Sequence, residues 1–233
     1  MGEKCYRRAA IFKHDFFAAT GLYVSESGKI VVKIGRISAL SFIPTRWIGE
    51  FLARHEARLF GLVAGLPGVP RFLGRVGPTG IAHEYVEGRP LSRDDQVDDQ
   101  FFPRLAELLD EMHRRGVAYV DLEKRENILH GTDGRPYLID FQISWHWPRR
   151  RLGDTWFARR LLRVLQESDR YHLRKHWRRQ RPDQYAVMFP DGEGRPPPWI
   201  RLHRAIFRPL TLLRRRVLVW LGARDSARGR SPG

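Results

Sequence analysis

The chain has 233 residues, 42% of them hydrophobic, so it can bury an ordinary core, and this composition argues against wholesale disorder. Its formal charge is +16 and its pI is about 10.9, a surplus of Lys and Arg that favours anionic partners such as nucleic acid, acidic lipid headgroups or phosphorylated substrates. No uninterrupted apolar stretch approaches the roughly 20 residues that cross a bilayer.

Cysteine usage and the first residues bear on the compartment. The single cysteine, Cys5, cannot form an internal disulfide. The first residues carry no apolar run of the kind found in secretory signals. We therefore expect a cytoplasmic protein, either soluble or peripheral on the inner membrane.

The first elements along the chain are strands. The stretches "IFKHDFFAAT", "LYVSES" and "IVVKIGR" are rich in β-branched and aromatic residues, and they are separated at Gly21 and by a turn at Gly28. This pattern predicts a small antiparallel meander that carries Lys33 on its last strand.

A helix is predicted after Pro44, in "TRWIGEFLARHEARLFGLVAGLPG", with Gly65 and Pro67 at its end. Its apolar residues recur at helical spacing, at Ile48, Leu52, Leu59 and Val63. Glu56 falls on the same apolar stripe. Because a buried carboxylate is costly unless a cation meets it, the sequence predicts a partner for Glu56 from elsewhere in the fold.

The middle of the chain combines short apolar pieces with a second helix. "RFLGRV" and "IAHEYV" precede a break at Gly88 to Pro90 and an acidic loop, "SRDDQVDDQ". The helix "FFPRLAELLDEMHRRG" then ends at Gly116. Its predicted core positions are Leu105, Leu108, Leu109 and Met112.

Polar residues surround a predicted hairpin in "YVDLEKRENILHGTDGRPYLIDFQIS", from Tyr119 to Ser144. A turn at Asp133 and Gly134 would bring Asn127 and Asp140 to neighbouring strand ends. Asp and Asn are also common in ordinary turns, and that interpretation stays open for these residues.

Together these residues match the needs of phosphoryl transfer. That chemistry requires metal ions that bridge phosphates, a cation on the phosphates and an acceptor that orients the attacking hydroxyl. Carboxylate and amide oxygens suit Mg²⁺, which is a hard cation. The chain supplies a complete set in order: Lys33, Glu56, Asp121, Asn127 and Asp140.

At these residues the chain resembles the protein-kinase-like superfamily. "IVVKI" resembles the strand-three lysine motif, "HEARLF" the helix that bears the glutamate, "YVDLEKREN" the catalytic loop and "LIDFQ" the Asp-Phe-Gly motif. The resemblance covers roughly Asp15 to Ser144. It implies a bilobal α+β fold with a small antiparallel β-rich N-lobe over residues 1–87, a helical C-lobe over residues 88–195 and a truncated activation segment.

The resemblance also implies ATP and Mg²⁺ as cofactors, with a role for each matching residue. Lys33 would hold the nucleotide phosphates while paired with Glu56. Asp121 would accept the proton of the substrate hydroxyl, and Asn127 and Asp140 would bind the metal ions.

Two further segments resemble nucleotide-binding parts of that family. "EYVEG", which begins at Glu84, is similar to the hinge that contacts adenine. This similarity implies that Glu84 and Val86 contact the nucleotide. Gly21 would be the one glycine of the loop that covers the phosphates. An ordinary β-turn is the alternative for Gly21.

The chain departs from the family pattern at several positions. Tyr119 stands where the catalytic loop usually has histidine, and Gln142 replaces the glycine of the Asp-Phe-Gly motif. Asp121 and Asn127 are one position further apart than usual, so Glu126 is a rival metal ligand. The sequence has no Ala-Pro-Glu segment. These departures predict a compact and unregulated relative, or a pseudokinase that keeps the fold without turnover.

The acceptor is the least specified part of the prediction. Lipopolysaccharide-core kinases, which phosphorylate heptose or Kdo, and RIO-type kinases share this minimal plan. The resemblance therefore favours a hydroxyl on a lipopolysaccharide-core glycolipid, with a protein serine or threonine as the alternative. The basic runs "PRRR" and "WRRQR" leave RNA binding, with Trp147 or Trp177 stacking on bases, as a third interpretation.

Residues 196–233 are predicted to form a basic amphipathic helix and a disordered tail. Read at 100° per residue, "WIRLHRAIFRPLTLLRRRVLVWLG" places tryptophans and leucines on one side and arginines on the other. Such a helix suits the inner-leaflet surface of a membrane, and it equally suits packing against the large lobe.

Overall fold

A computed structural model describes residues 5–14, 18–35, 45–147 and 156–190. The described chain begins with an antiparallel sheet and one helix, and it continues into a mainly helical region with short strands. The predicted amphipathic helix and tail, over residues 196–233, lie outside the described residues. No helix within the described ranges is long and apolar enough to cross a membrane.

The N-lobe sheet has five strands in the order β1-β2-β3-β5-β4, and every neighbouring pair is antiparallel. Its first three strands form the predicted meander. The β-branched residues Val31 and Val32 are buried in the central strand. The strands are β1 (Arg7–His14), β2 (Ala18–Ser25), β3 (Gly28–Gly35), β4 (Phe72–Val76) and β5 (Gly80–Glu84).

Helix α1 (Thr45–Leu62) packs on this sheet, close to where the sequence predicted a helix. Leu59 and Phe60 are buried on its inner face, and Val63 is buried just after its last turn. Glu56 lies on that inner face and is only 3% exposed. The apolar stripe therefore positions a carboxylate against the sheet that carries Lys33.

The C-lobe is built around helix α2 (Phe101–Arg114). The four predicted core residues of this helix are all buried, and Phe101 and Phe102 add aromatic rings to the same cluster. Gly116 ends the segment with φ of 76°, a left-handed conformation that favours glycine. The remaining elements are β6 (Gly88–Pro90), β7 (Val117–Ala118), a 3₁₀ turn (Arg125–Asn127), β8 (Ile128–Gly131), β9 (Pro136–Leu138), β10 (Trp145–His146), α3 (Trp156–Gln180) and α4 (Pro182–Met188).

The predicted hairpin joins β8 to β9 through a turn at Asp133 and Gly134. Gly134 takes φ of 74°, as the turn requires. The Ile139 N–H donates to the Asn127 carbonyl at 3.1 Å, just beyond the paired residues. The hairpin thereby brings Asn127 next to Asp140 despite their separation in sequence.

Phe141 packs the site against the core of the fold. It is fully buried, and its ring lies 4.9 Å from that of Phe60 on α1 and 5.4 Å from that of Tyr119. One aromatic residue beside Asp140 therefore links the N-lobe helix to the loop that carries Asp121. Between Asp140 and α3, residues 148–155 lie outside the described ranges.

Candidate active site

Lys33 lies between two carboxylates from distant parts of the chain. Its Nζ is 3.1 Å from Glu56 Oε1 on α1 and 2.7 Å from Asp140 Oδ1 after the hairpin. The partner that the buried Glu56 requires is therefore Lys33 on β3. This contact ties the central strand of the sheet to the helix and to the candidate metal ligand.

Burial and charge act in opposite directions on this group. Burial lowers the pKa of Lys33, but the carboxylates of Glu56 and Asp140 outweigh it and raise that pKa above its ordinary value. Burial raises the pKa of Glu56, and the ammonium of Lys33 offsets this only in part. Burial also opposes ionisation of Asp140, yet Lys33 holds its pKa below the usual range. Lys33 is thus a persistent cation and Asp140 a persistent anion.

Asp121 is 8% exposed and makes a compact set of hydrogen bonds within its own loop. Its Oδ2 accepts from Lys124 Nζ and from Asn127 Nδ2, each at 2.7 Å. Burial raises the pKa of Asp121, although Lys124 and Asn127 counter it. A carboxylate held in this way has its second oxygen available for a hydroxyl proton.

The extra residue between Asp121 and Asn127 is absorbed by local turns. The Lys124 N–H donates to the Asp121 carbonyl, and the Asn127 N–H donates to the Lys124 carbonyl, each at 3.2 Å. This folding points the buried Asn127 amide at Asp121, whereas Glu126 is exposed. Both residues line the same cavity, so the assignment of Asn127 rather than Glu126 as a metal ligand stays a prediction.

Asp169 of α3 fixes the backbone that precedes Asp121. Its Oδ2 accepts the Tyr119 N–H at 2.7 Å, and its Oδ1 accepts the Val120 N–H at 2.8 Å. His113 Nε2 lies 3.0 Å from the same carboxylate. Val120 has φ of 72°, which is costly for a β-branched residue and needs such support.

Replacing Asp169 with Asn should destabilise the protein by about 2–3 kcal/mol, because a buried N–H then faces an amide donor. The released loop would also displace Asp121, so turnover should fall while nucleotide affinity holds. Urea unfolding and steady-state rates measure both effects. Asp110→Asn is the matched control, since Asp110 makes only an exposed ion pair with Arg170. Wild-type stability and turnover in Asp169→Asn would contradict the positioning role.

His176 supports the same loop from α3. It is 2% exposed, and its Nε2 lies 2.8 Å from the Leu122 carbonyl, the bond that a neutral ring donates. Its Nδ1 is buried without a hydrogen-bond partner among the described residues. Burial, aided by nearby cations, lowers the pKa of His176 from 6.5 to about 4.

We expect stability to fall as the pH drops from above 6.5 toward 4, because His176 is protonated there only in the unfolded chain. The loss should be on the order of 3 kcal/mol across that window. His176→Gln should remove most of this slope, measured as the free energy of unfolding at several pH values. His130→Gln, on β8, is the control. An unchanged slope in His176→Gln would refute this source of pH dependence.

Tyr119 stands where the family pattern has histidine, and it connects the Asp121 loop to the Asp140 segment. Its hydroxyl donates to the carbonyl of Ile139, which immediately precedes Asp140. Its ring packs on Phe141. The substitution therefore keeps a hydrogen bond between the Asp121 loop and the Asp140 segment.

A cavity of about 430 Å³ opens beside Lys33, between the sheet and the C-lobe hairpin. Its lining includes apolar side chains from both lobes, among them Val31 from β3 and Leu129 from β8. Its polar wall includes Lys33, Glu56, Lys124, Glu126, Asn127 and Asp140. A flat aromatic base would fit between the apolar walls, with anionic groups directed at the lysines.

The segment predicted as a hinge borders the same cavity. Val86 lines it, and none of the hydrogen bonds among the described residues involves the Val86 main chain. The Glu84 carboxylate instead pairs with Arg71 at 2.5 Å, and its carbonyl accepts from His83 Nδ1 at 2.8 Å. Val86 is thus placed to contact a bound base, whereas the Glu84 side chain is not.

Gly21 does not occupy the loop that the sequence analysis assigned to it. It lies within β2, paired with Ile11 on one side and Val32 on the other. A Cβ at Gly21 would approach the Ala10 carbonyl to 3.2 Å, so close strand packing accounts for the glycine. The β1–β2 connection, residues 15–17, lies outside the described ranges, and a role for Gly21 toward nucleotide stays a prediction.

The donor set fits a hard divalent cation. Asn127 and Asp140 both line the cavity and lie on adjoining strand ends. With its Nδ2 committed to Asp121, Asn127 keeps its amide oxygen for a ligand, and Asp140 keeps its second carboxylate oxygen. Oxygen donors of this kind suit Mg²⁺.

Sequence reasoning missed three contributors: Lys124, His83 and Asp169. Lys124 lies in the quoted catalytic loop, and its ion pair with Asp121 needs the tight turn to be seen. His83 is buried in the cavity wall and stacks on Phe60, which no pattern indicated. Asp169 shares the buried face of α3 with Leu162 and Leu173. The reasoning applied to Glu56 could have found it, because Asp169 is also a carboxylate on an apolar helix stripe.

No protein-family model matches this chain, and no curated protein matches it. Solved structures, by contrast, are similar to this chain. Rio2 kinase from Chaetomium thermophilum, in its ADP/Mg²⁺-phosphoaspartate complex, is similar with a TM-score of 0.54 and 16% sequence identity, covering 74% of this chain and 56% of that one. A second structure of the same kinase gives a TM-score of 0.53 and 15% identity, covering 74% and 58%.

This chain therefore spans somewhat over half the length of the structures it matches. At this level of identity the similarity establishes the fold. The antiparallel sheet with α1 and the mainly helical region after it are the two parts of this fold. The chain has the bilobal, protein-kinase-like α+β fold that its motifs predicted.

Proposed function

We propose that this protein is an ATP- and Mg²⁺-dependent phosphotransferase that moves the γ-phosphoryl group to a hydroxyl. The observation that carries the proposal is the contact of Lys33 with both Glu56 and Asp140, in a cavity that also reaches the Asp121 loop. A cation for phosphates, oxygen ligands for a metal and a buried carboxylate for a proton are the parts that phosphoryl transfer needs.

Nucleotide binding would use the walls of the cavity. The base would lie between Val31 and Leu129, with hydrogen bonds to the Val86 main chain. Lys33 would hold the phosphates, since its ammonium stays charged beside two carboxylates. Lys124, which also lines the cavity, would supply a second positive charge on the same side.

Asp121 would orient the acceptor hydroxyl and take its proton. Its raised pKa makes it a stronger proton acceptor than an exposed aspartate, and its bonds to Lys124 and Asn127 fix its direction. Asn127 and Asp140 would hold Mg²⁺. When bound, the metal neutralises charge that develops on the phosphates.

For the acceptor we favour a sugar hydroxyl on a lipopolysaccharide-core glycolipid. Support comes from the charge of +16, which suits a phosphate-rich acceptor at an acidic membrane surface. The lack of an Ala-Pro-Glu segment argues against a regulated protein kinase, because that segment normally helps to hold a peptide. A serine or threonine side chain is the alternative acceptor, and a weakly active, membrane-associated pseudokinase is the alternative without turnover.

The phosphoaspartate of the Rio2 kinase complex supports a second candidate, in which a carboxylate of this chain receives the phosphoryl group. Asp140 is the residue best placed for it, because it lies in the cavity against Lys33. An acyl phosphate formed there would hydrolyse, and the net reaction would be ATP hydrolysis without an external acceptor.

Labelling with [γ-³²P]ATP and Mg²⁺, with and without a crude lipopolysaccharide fraction, separates these possibilities. Glycolipid phosphorylation should give label in the lipid fraction that resists hydroxylamine. Label on the protein that hydroxylamine removes would favour the aspartyl route, and hydroxylamine-resistant label on protein would favour a serine or threonine acceptor. Nucleotide binding without any label would favour the pseudokinase.

A further inference from the structure

Three arginines from separate parts of the fold lie close together, one of them in the loop of the candidate base, and we refer to Arg93, Arg125 and Arg179 as the arginine cluster. Arg125 begins the 3₁₀ turn in the same loop as Asp121. Arg93 lies in the segment between β6 and α2, and Arg179 lies in the last turn of α3.

Hydrogen bonds hold these elements together. Gln180 Nε2 donates to the carbonyls of Ser92 and Asp95, each at 2.8 Å, which brings the end of α3 to the segment of Arg93. His176, one turn earlier on α3, bonds to the Leu122 carbonyl at 2.8 Å. The end of α3 therefore bridges the Arg93 segment and the Asp121 loop.

No ion pair among the described residues neutralises the arginine cluster. Arg93 and Arg179 lie close enough to Arg125 for their positive charges to act on it. Arg125 Nη1 is buried with no hydrogen-bond partner among the described residues. The carboxylate of Asp94 is also near enough to act on Arg125, but within the described ranges it forms no ion pair with Arg125. An anion that bonds to the guanidinium groups would relieve this repulsion.

Other arginines of the same region are neutralised. Arg89 pairs with Asp95 at 2.8 Å, and Arg181 pairs with Asp99 at 2.6 Å. Across residues 5–14, 18–35, 45–147 and 156–190, no ion pair involves any member of the arginine cluster. The arginine cluster therefore differs from Arg89 and Arg181, whose charges are paired with carboxylates.

We propose that the arginine cluster binds a phosphate monoester already present on the acceptor, so that the enzyme phosphorylates a sugar that carries phosphate at another position. The guanidinium fork matches two phosphate oxygens at once, which favours this anion. The inference rests on the proposed function, because it takes Asp121 as the group that receives the acceptor hydroxyl.

The surroundings favour a discrete phosphate over an RNA strand. Non-specific RNA binding combines a basic groove with aromatic faces on which bases stack. Trp177, the tryptophan of this part of α3, is 2% exposed and stacks on Phe102 in the core. It therefore offers no stacking surface beside the arginine cluster.

The test measures binding of glucose 1-phosphate and of inorganic phosphate to the full chain by calorimetry at fixed ionic strength, without ATP. Glucose is the neutral control. Both phosphate probes should bind wild type, and glucose should not. Arg125→Gln should weaken phosphate binding by about tenfold or more. Arg71→Gln, a change to an exposed N-lobe arginine, should leave it unchanged.

Should Arg125→Gln fail to fold, the double variant Arg93→Gln/Arg179→Gln provides the same test, because both side chains are exposed. The proposal is overturned if these variants bind phosphate as wild type does, or if a uridine oligonucleotide binds through the arginines while glucose 1-phosphate does not. Because no turnover is measured, failure of the proposed phosphotransfer would show separately, as an inactive protein that still binds phosphate at the arginine cluster.

Discussion

Asp121→Asn should reduce phosphotransfer by about 10²–10⁴-fold, the usual contribution of a positioned general base. The variant keeps the size and shape of the side chain, and its amide can still meet Asn127. It loses the negative charge that would accept the hydroxyl proton. Nucleotide affinity should stay near that of wild type, because Asp121 does not line the cavity that holds the base. ATP turnover and nucleotide titration, run on the same preparations, separate the two effects.

Asp133→Asn is the matched control for this change. Asp133 lies in the hairpin turn, where its carboxylate accepts from the Tyr137 hydroxyl and the Arg135 N–H on the surface. It should turn over ATP as wild type does. Full activity in Asp121→Asn would remove Asp121 from the chemistry, whatever its position in the fold.

Lys33→Ala should affect both stability and catalysis. Removal of the ammonium leaves Glu56 buried without a countercharge, which costs about 3–5 kcal/mol for a buried pair that loses one partner. It also removes the cation proposed to hold the phosphates, so transfer should fall by about 10²–10³-fold. Denaturant unfolding and single-turnover rates report the two losses separately.

The double variant Lys33→Ala/Glu56→Gln distinguishes charge from packing. Neutralising Glu56 should recover part of the lost stability but none of the lost transfer, because the phosphates still lack their cation. Lys29→Met is the control on the same strand, because Lys29 lies on the surface, where it pairs with Glu87 and lies over the Tyr85 ring. Equal stability of Lys33→Ala and wild type would mean that the Lys33–Glu56 contact contributes little.

Much of the fold follows from local patterns in the sequence. The stripe on α1 predicted both its buried face and the need for a cation at Glu56, because a buried carboxylate cannot remain unpaired. The hairpin followed from Asp133 and Gly134, whose turn chemistry fixes the register of β8 and β9. These features depend on neighbouring residues, so the sequence is enough to place them.

Other features depend on contacts between distant segments. The hydrogen bond from Asn127 to Asp121 depends on the turns that absorb the extra residue. The position of Gly21 within β2 could not be predicted from the sequence, because an isolated glycine is as common inside a strand as in a turn. Asp169 lies far along the chain from the backbone amides that it binds. The proximity of the three arginines likewise depends on the contact between α3 and the Arg93 segment, which are distant in sequence.

Mg²⁺-dependent ATP turnover by purified wild-type protein and by Asp140→Asn, each assayed with the crude lipopolysaccharide fraction as acceptor, is the most direct test of the phosphotransferase assignment. Wild type should turn over ATP with a rate that saturates as Mg²⁺ is raised, and Asp140→Asn should need far more Mg²⁺ or show no turnover. Turnover that is independent of Mg²⁺, or identical in the two proteins, would contradict the assignment of this cavity as the phosphoryl-transfer site.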